Sequence, residues 1–209
     1  SPNVLCQVAG TAPNDYVVIG AHYDDRASSL KNTTQRAPGA DDNASGTAGV
    51  MELAKAFQRL EQKPKRSILF VAFTAEEKGL LGSRYYVENP VVPLEQTKAL
   101  FNLDMISRND ANQFSVLGKY QYPEFFNIVG DINKETFNFD INFSIEGFAR
   151  QSDHFPFMRK KIPSLFFNTG SHDQLHRPED TVSRTLPEKA AKITQLLFLS
   201  MYQVANMAN

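Results

Sequence analysis

Val17-Val18-Ile19-Gly20-Ala21-His22-Tyr23-Asp24 is the stretch on which the fold turns. Its first five residues are apolar without interruption and partly β-branched, the pattern of a short strand buried on both faces. A histidine and a carboxylate follow as soon as the apolar run stops. The same form recurs twice. Ser67 to Thr74 (Ser-Ile-Leu-Phe-Val-Ala-Phe-Thr) ends just before Glu76-Glu77, and Ala99-Leu100-Phe101-Asn102-Leu103 delivers Asp104. Chemistry-bearing residues at the ends of buried strands mark the place where an open α/β sheet builds its active site.

Helical patterns separate these strands. From Ser45, residues Val50, Leu53, Ala54, Phe57 and Leu60 recur at helical spacing, and Pro64 closes the segment. Before it, the polar residues 26 to 40 with Pro38-Gly39 read as a loop. A helix is predicted from Leu80 to Val87, ended by Pro90 and Pro93, and others over Tyr122 to Lys134 and Pro187 to about Ala208. Phe114 to Leu117 and Ile162 to Phe167 read as strands. Phe137, Phe139, Ile141, Phe143 and Ile145 alternate with polar residues, which predicts a half-exposed strand near a sheet edge. Strands alternating with helices give an α/β fold whose sheet is covered on both faces. No repeat, linker or low-complexity tract interrupts the 209 residues, so a single domain over 1–209 is the expectation.

Hydrophobic residues make up 42% and charged residues 22%, values of an ordinary globular chain. A net charge of −1 supplies no basic field for nucleic acid. No apolar run approaches the roughly 20 residues that a membrane-spanning helix requires, so no membrane insertion is expected. The single cysteine, Cys6, excludes an internal disulfide framework, and any zinc site must then use histidine and carboxylate. The chain enters an apolar stretch soon after Ser1-Pro2-Asn3, without an initiator Met or signal peptide, which reads as a processed or trimmed catalytic core.

Each chemical stretch also has a plain structural reading. Glu76-Glu77 suits a solvated helix start. However, Phe73-Thr74-Ala75-Glu76-Glu77-Lys78-Gly79-Leu80-Leu81-Gly82-Ser83 sets the pair in a tight, glycine-flanked turn, so one carboxylate can meet a metal while the other faces a substrate. His22 alone would suit a core histidine, but Asp24 two residues on can accept its second ring N–H and fix the tautomer. Asp25 reads as a surface charge. In Pro38-Gly39-Ala40-Asp41-Asp42-Asn43-Ala44-Ser45-Gly46, one of Asp41, Asp42 and Asn43 suffices to cap the next helix, and a buried carboxylate there can instead bridge two metals. Asp104 ends an apolar strand, where a charge is costly unless paired or exposed. His172 and His176 both precede Arg177-Pro178-Glu179-Asp180-Thr181, and their spacing does not choose between them.

These stretches, with Asn102-Leu103-Asp104-Met105 and Ser152-Asp153-His154-Phe155-Pro156-Phe157, resemble the co-catalytic di-zinc aminopeptidases of the bacterial leucyl aminopeptidase type. That family is related to glutamate carboxypeptidase II and, more distantly, to glutaminyl cyclase. The resemblance runs from about Asn3 to Asn209 in six ordered motifs, although family members usually have further residues before the first strand. It implies a three-layer α/β/α sandwich around a mixed, mostly parallel sheet. It implies two Zn²⁺ ions per chain: His22 and Asp104 on one, Glu77 and His176 on the other, and Asp42 as the bridge, with Asp41 only a neighbour. Glu76 would be the general base, Asp24 would orient His22, and His154 would be a structural histidine near the specificity pocket. Glu146 and Arg150 fall in a loop that borders the substrate pocket in the family, as amine anchor and carbonyl or carboxylate contact, against a plain reading as solvated charges. Some relatives have a tyrosine before the last histidine; here that position is Leu175, with Arg150, Tyr120 and Tyr122 as candidate substitutes.

The function so implied is removal of N-terminal residues, with apolar ones favoured, from peptides with a free N-terminus. A secreted or periplasmic address accompanies it; the sequence leaves the oligomeric state open, and a monomer is compatible with it. A glutaminyl cyclase-like single-zinc acyltransferase and an inactive peptidase-like binding module are the alternatives.

Overall fold

The computed structural model describes residues 1–12, 14–26, 36–142 and 148–208. In chain order the elements are β1 (Val4–Val8), β2 (Tyr16–His22), α1 (Gly46–Arg59), β3 (Ser67–Phe73), α2 (Leu81–Glu88), β4 (Thr97–Leu103), β5 (Gln113–Leu117), α3 (Pro123–Glu135), β6 (Asp140–Asn142), α4 (His154–Arg159), β7 (Ser164–Asn168) and α5 (Pro187–Asn206). The strands form one sheet in the order β1-β3-β2-β4-β7-β5-β6. Its centre, β3, β2, β4 and β7, is parallel. β1 is antiparallel to β3, and β5 is antiparallel to β7 while parallel to β6. The sheet is thus mixed and mostly parallel.

Alternation within β2 explains why its apolar run is unbroken. Val17, Ile19 and Ala21 enter one core with Leu53 and Phe57 of α1, Phe126 and Val129 of α3, and Ile193, Leu197 and Met201 of α5. Val18 enters the opposite core with Leu69, Val71, Phe73, Tyr86 of α2 and Phe157 of α4. A strand buried on both faces needs apolar side chains at every position. Helices therefore cover both faces, and the three layers expected from the sequence are present. No helix among the described residues is long and apolar enough to cross a membrane.

The topology locates the crevice. β2 lies between β3 and β4. The chain leaves β2 through α1 on one face to reach β3, then crosses through α2 on the other face to reach β4. Connections that diverge to opposite faces open a cleft at the carboxyl end of the strand between them.

Three elements differ from the sequence expectation. β1 was not anticipated: it is a largely exposed edge strand, where burial imposes no apolar pattern. α4 has six residues, too few for a periodic signal. The alternating stretch does supply the edge strand β6, but only as Asp140–Asn142. Asn133 accounts for the late start: its carbonyl accepts the N–H groups of Phe137 and Asn138, and its side chain brackets the backbone of Phe139. Phe139 then packs edge-on against Phe114, with ring centroids 5.2 Å apart. Residues 143–147 of that stretch, and 27–35 of the predicted loop, lie outside the described residues.

Candidate metal centre

The cleft gathers five side chains, four of them from strand ends. His22 closes β2, Glu77 lies in the turn after β3, Asp104 directly follows β4, and His176 comes from the loop after β7. Asp42 reaches in from the segment ahead of α1. His22 Nε2 stands 3.2 Å from Asp42 Oδ1 and 3.3 Å from Asp104 Oδ1. His176 Nε2 stands 3.0 Å from Asp42 Oδ2 and 3.0 Å from Glu77 Oε1. Two triads result, His22–Asp42–Asp104 and Asp42–Glu77–His176, each with its donor atoms within 4.8 Å of one another. Asp42 belongs to both and turns one oxygen toward each.

This donor set fits zinc. Bonds of ~2.0–2.1 Å to a tetrahedral ion hold its ligand atoms ~3.3 Å apart, close to the separations in both triads. Glu77 Oε1 is buried beside the His176 ring, and buried carboxylates clustered this closely need a compensating cation. Protons take that place otherwise. Contacts with Asp42 and Glu77 raise the His176 imidazole to about 9. For His22, burial favours the neutral ring but Asp104 overrides it, so its pKa lies well above the ordinary value. For Asp42, burial opposes ionisation, yet His176 and His22 hold the carboxyl below the usual range.

The segment carrying Asp42 is over-determined. Asp180, itself buried, accepts the backbone N–H groups of Asp41 (3.1 Å) and Asp42 (3.1 Å). Asp41 Oδ1 accepts from the Ser107 amide and hydroxyl at 2.8 and 2.7 Å. Asn43 Oδ1 accepts from the Gly46 N–H at the start of α1 at 3.0 Å, while its amide donates to the Leu103 carbonyl. Asn43 thus serves the first amide of the helix, and Asp42 faces the imidazoles. Gly46 is required: a Cβ there would stand 2.3 Å from Asn43 Oδ1 and 2.8 Å from the Leu103 carbonyl. The Asp42–Asn43 peptide bond is cis. Asp180→Asn, which removes the charge facing these amides, is expected to cost about 1–3 kcal/mol and several degrees of Tm; an unchanged melting curve would show that this anchor contributes nothing.

Asp24 acts differently from the expectation. The acceptor nearest His22 Nδ1 is the Asp24 backbone carbonyl, at 3.1 Å, whereas its carboxylate lies 3.6 Å away, beyond hydrogen-bond range. That carboxylate instead accepts the backbone N–H groups of Glu76 (3.0 Å) and Glu77 (3.2 Å). A neutral His22 ring donating from Nδ1 presents its Nε2 lone pair to the cluster. Asp24 thus orients His22 through its main chain and fastens the glutamate turn through its side chain. Burial opposes ionisation of Asp24, but His22 and the Glu76 amide keep its carboxyl below the usual value.

Glu76 belongs to neither triad yet lines the same cavity, which has a volume of about 350 Å³. Burial, reinforced by Asp104, pushes its carboxyl up to about 9. The cavity's apolar wall includes Leu80, Met105, Phe148, Phe166 and Leu175. Arg150 lines it, whereas Tyr120 is 70% exposed and neither Tyr120 nor Tyr122 reaches the lining. Glu146 lies outside the described residues. His154 is fully buried, stacks on Phe166 at 4.4 Å, and is pushed by burial down to about 3, which suits a structural ring. His172 pairs with Asp41 at 3.4 Å and stays out of the triads. Asp25 is exposed. A larger apolar cavity of about 830 Å³ lies between α1 and α5, away from these groups.

Sequence reasoning missed Asp180 and Arg26. Asp180 sat in a quoted motif, but only the fold shows that it reaches back to residues 41 and 42. Arg26 lines the cavity, and its Nη1 lies 3.2 Å from His176 Nδ1 and 3.8 Å from Glu77 Oε2.

The profile of peptidase family M28 matches residues 3–201. Aminopeptidase YwaD of Bacillus subtilis is 31% identical over 199 residues, covering 90% of this chain and 41% of that protein. The crystal structure of BSAP, a zinc aminopeptidase from Bacillus subtilis, superposes with a TM-score of 0.80 at 26% identity, covering 97% of this chain and 50% of that one. Porphyromonas gingivalis glutaminyl cyclase shares the fold, with a TM-score of 0.82 at 19% identity over 97% of this chain and 77% of its own. The chain spans less than half the length of the curated relatives it matches.

Proposed function

The chain belongs to peptidase family M28, and from that premise we propose that it is a zinc-dependent aminopeptidase that holds two Zn²⁺ ions and releases apolar N-terminal residues from peptides. The observation that carries the reading is the shared carboxylate: Asp42 offers one oxygen to each of two histidine-containing triads. On this reading His22 and Asp104 hold one ion, Glu77 and His176 the other, and residues 1–209 act as one catalytic unit. A secreted or periplasmic address and a monomer accompany it.

Bound zinc supplies Lewis acidity: it lowers the pKa of a water molecule towards neutrality and stabilises negative charge on a peptide carbonyl oxygen. The chain's own groups do the rest. Glu76 accepts the proton of the attacking water and returns it to the departing amine. Asp24 keeps the glutamate turn and the His22 ring in register. The wall of Leu80, Met105, Phe148 and Phe166 excludes water and accommodates an apolar side chain.

The test is to assay the zinc-loaded protein against a panel of aminoacyl amides that includes glutaminyl substrates. Release of apolar residues with two zinc ions per chain is expected. One tightly held zinc with cyclisation of glutaminyl peptides would establish the cyclase reading instead. Binding without turnover would establish the inactive module.

Zinc binding should also depend steeply on pH. His176, raised to about 9, and His22, raised well above its ordinary value, both hold their protons more tightly than free imidazoles in the metal-free protein. Zinc must displace those protons, so affinity should weaken as pH falls below about 9, by roughly tenfold per unit for each proton displaced. The same shifts stabilise the metal-free fold at low pH: the His176 contribution is complete below its unfolded pKa of about 6.5 and is lost as pH rises through about 9. Zinc affinity that stays constant between about pH 6 and 8 would contradict this assignment.

A further inference from the structure

Asp41 and Asp42 are neighbours with different partners. Asp42 faces the donor cluster, with oxygens 3.2 Å from His22 Nε2 and 3.0 Å from His176 Nε2. Asp41 is fully buried and joins neither triad. Its Oδ1 accepts from the amide and hydroxyl of Ser107. Its Oδ2 meets His172 Nε2 at 3.4 Å, and the His172 side chain is only 4% exposed. A buried polar pair is often no more stabilising than apolar residues of the same volume. The contact is better explained by the geometry it fixes.

That geometry concerns the loop between β7 and α5. His172 and Asp180 stand four residues before and four residues after His176, and both reach back to the segment that carries Asp42. Asp180 accepts the amides of Asp41 and Asp42 through its carboxylate, each at 3.1 Å, and the amide of Ala40 through its carbonyl, also at 3.1 Å. Between the two anchors, Gln174 accepts from the Arg108 guanidinium, which also stands 3.6 Å from Asp180. The loop is thus fastened on both sides of His176. His176 itself has a φ of 58°, a left-handed conformation that is costly for a residue with a Cβ and persists only where the surroundings hold it.

From this we infer that His172 is a positioning residue for one of the two metal sites: through Asp41 it sets the His176 loop against Asp42, so that the Asp42–Glu77–His176 triad is formed before an ion arrives. The inference rests on the proposed two-ion reading and adds to it a residue outside both triads. Its effect is one-sided. The other triad draws His22 and Asp104 from the ends of β2 and β4, and it shares only Asp42 with the fastened loop.

The experiment is calorimetric titration of the metal-free protein with zinc, which needs no turnover. The parent should take up two ions. His22→Ala isolates the triad with His176, and His176→Ala isolates the triad with His22. In the His22→Ala background, His172→Leu, close in volume but without a donor, should weaken zinc by ~10–100-fold, whereas in the His176→Ala background it should change affinity by less than about threefold. His172→Gln offers Asp41 an N–H again and should recover most of the loss, which a space-filling role would not require. Should His172→Leu not fold, Asp41→Asn alters the same contact from its other side and should show the same asymmetry. Unchanged affinity in both backgrounds, equal losses in both, or equal losses in the Leu and Gln variants would overturn the inference and leave the two-ion reading intact. A parent protein that takes up a single ion would overturn that reading, and the inference with it.

Discussion

Glu76→Gln is expected to keep the zinc content of the protein and to lower kcat by at least ~10²-fold, the contribution of a positioned general acid–base group. Glu76 stands in the cavity beside both triads yet supplies no donor atom to either. Its environment prepares it for proton traffic. Burial raises the carboxyl to about 9, and the neighbouring Asp104 adds to the effect. Nearby cations would draw that value down toward neutrality, where a base exchanges protons most effectively. The glutamine side chain has almost the same shape and leaves the amide that Asp24 accepts in place, so the turn should hold. Zinc content and kcat, measured on one preparation, separate the two roles of the glutamate pair: Glu77→Gln should release metal, whereas Glu76→Gln should not. An unchanged kcat would remove Glu76 from proton transfer.

Asp42→Ala is expected to have the largest effect on metal. Loss of a group that merely orients a ligand costs about 10–100-fold in affinity. Asp42 places an oxygen 3.2 Å from His22 Nε2 and another 3.0 Å from His176 Nε2, so its removal strips both triads together. Zinc should fall below one tightly held ion per chain, and turnover should fall with it. His22→Ala is the control, because it leaves Asp42, Glu77 and His176 together and should retain one ion. If Asp42→Ala still carried two ions, the two triads would be independent and the bridging role would be wrong.

Much of this site was legible because its residues sit where apolar runs end. A fully buried parallel strand must be apolar along its length, so the first charged residue after it marks the exit into the cleft. That rule identified His22, Glu76-Glu77 and Asp104 and placed them at one edge of the sheet. The family resemblance added the division of labour, with Asp42 rather than Asp41 as the bridge and His176 rather than His172 as the last ligand. The structure is consistent with both choices. Asp42 faces both imidazoles, whereas Asp41 is occupied by Ser107. His176 meets Glu77, whereas His172 turns to Asp41.

What stayed hidden depends on contacts between residues distant in the chain. Nothing local to Asp180 shows that it holds the amides of Asp41 and Asp42, 139 and 138 positions away. Nothing near Arg26 shows that it stands against His176, 150 positions on. Asp24 illustrates the same division within one residue: its spacing from His22 was visible, but its carboxylate turned to the Glu76 and Glu77 amides. By itself the sequence determined the buried central strands, the order of the acidic and histidine stretches and the edge of the sheet at which they gather, because burial imposes an apolar pattern along the chain. Only the tertiary structure decided which polar groups pair across the cleft, because a hydrogen bond or ion pair depends on distances of about 3 Å between side chains whose separation in sequence carries no trace of it.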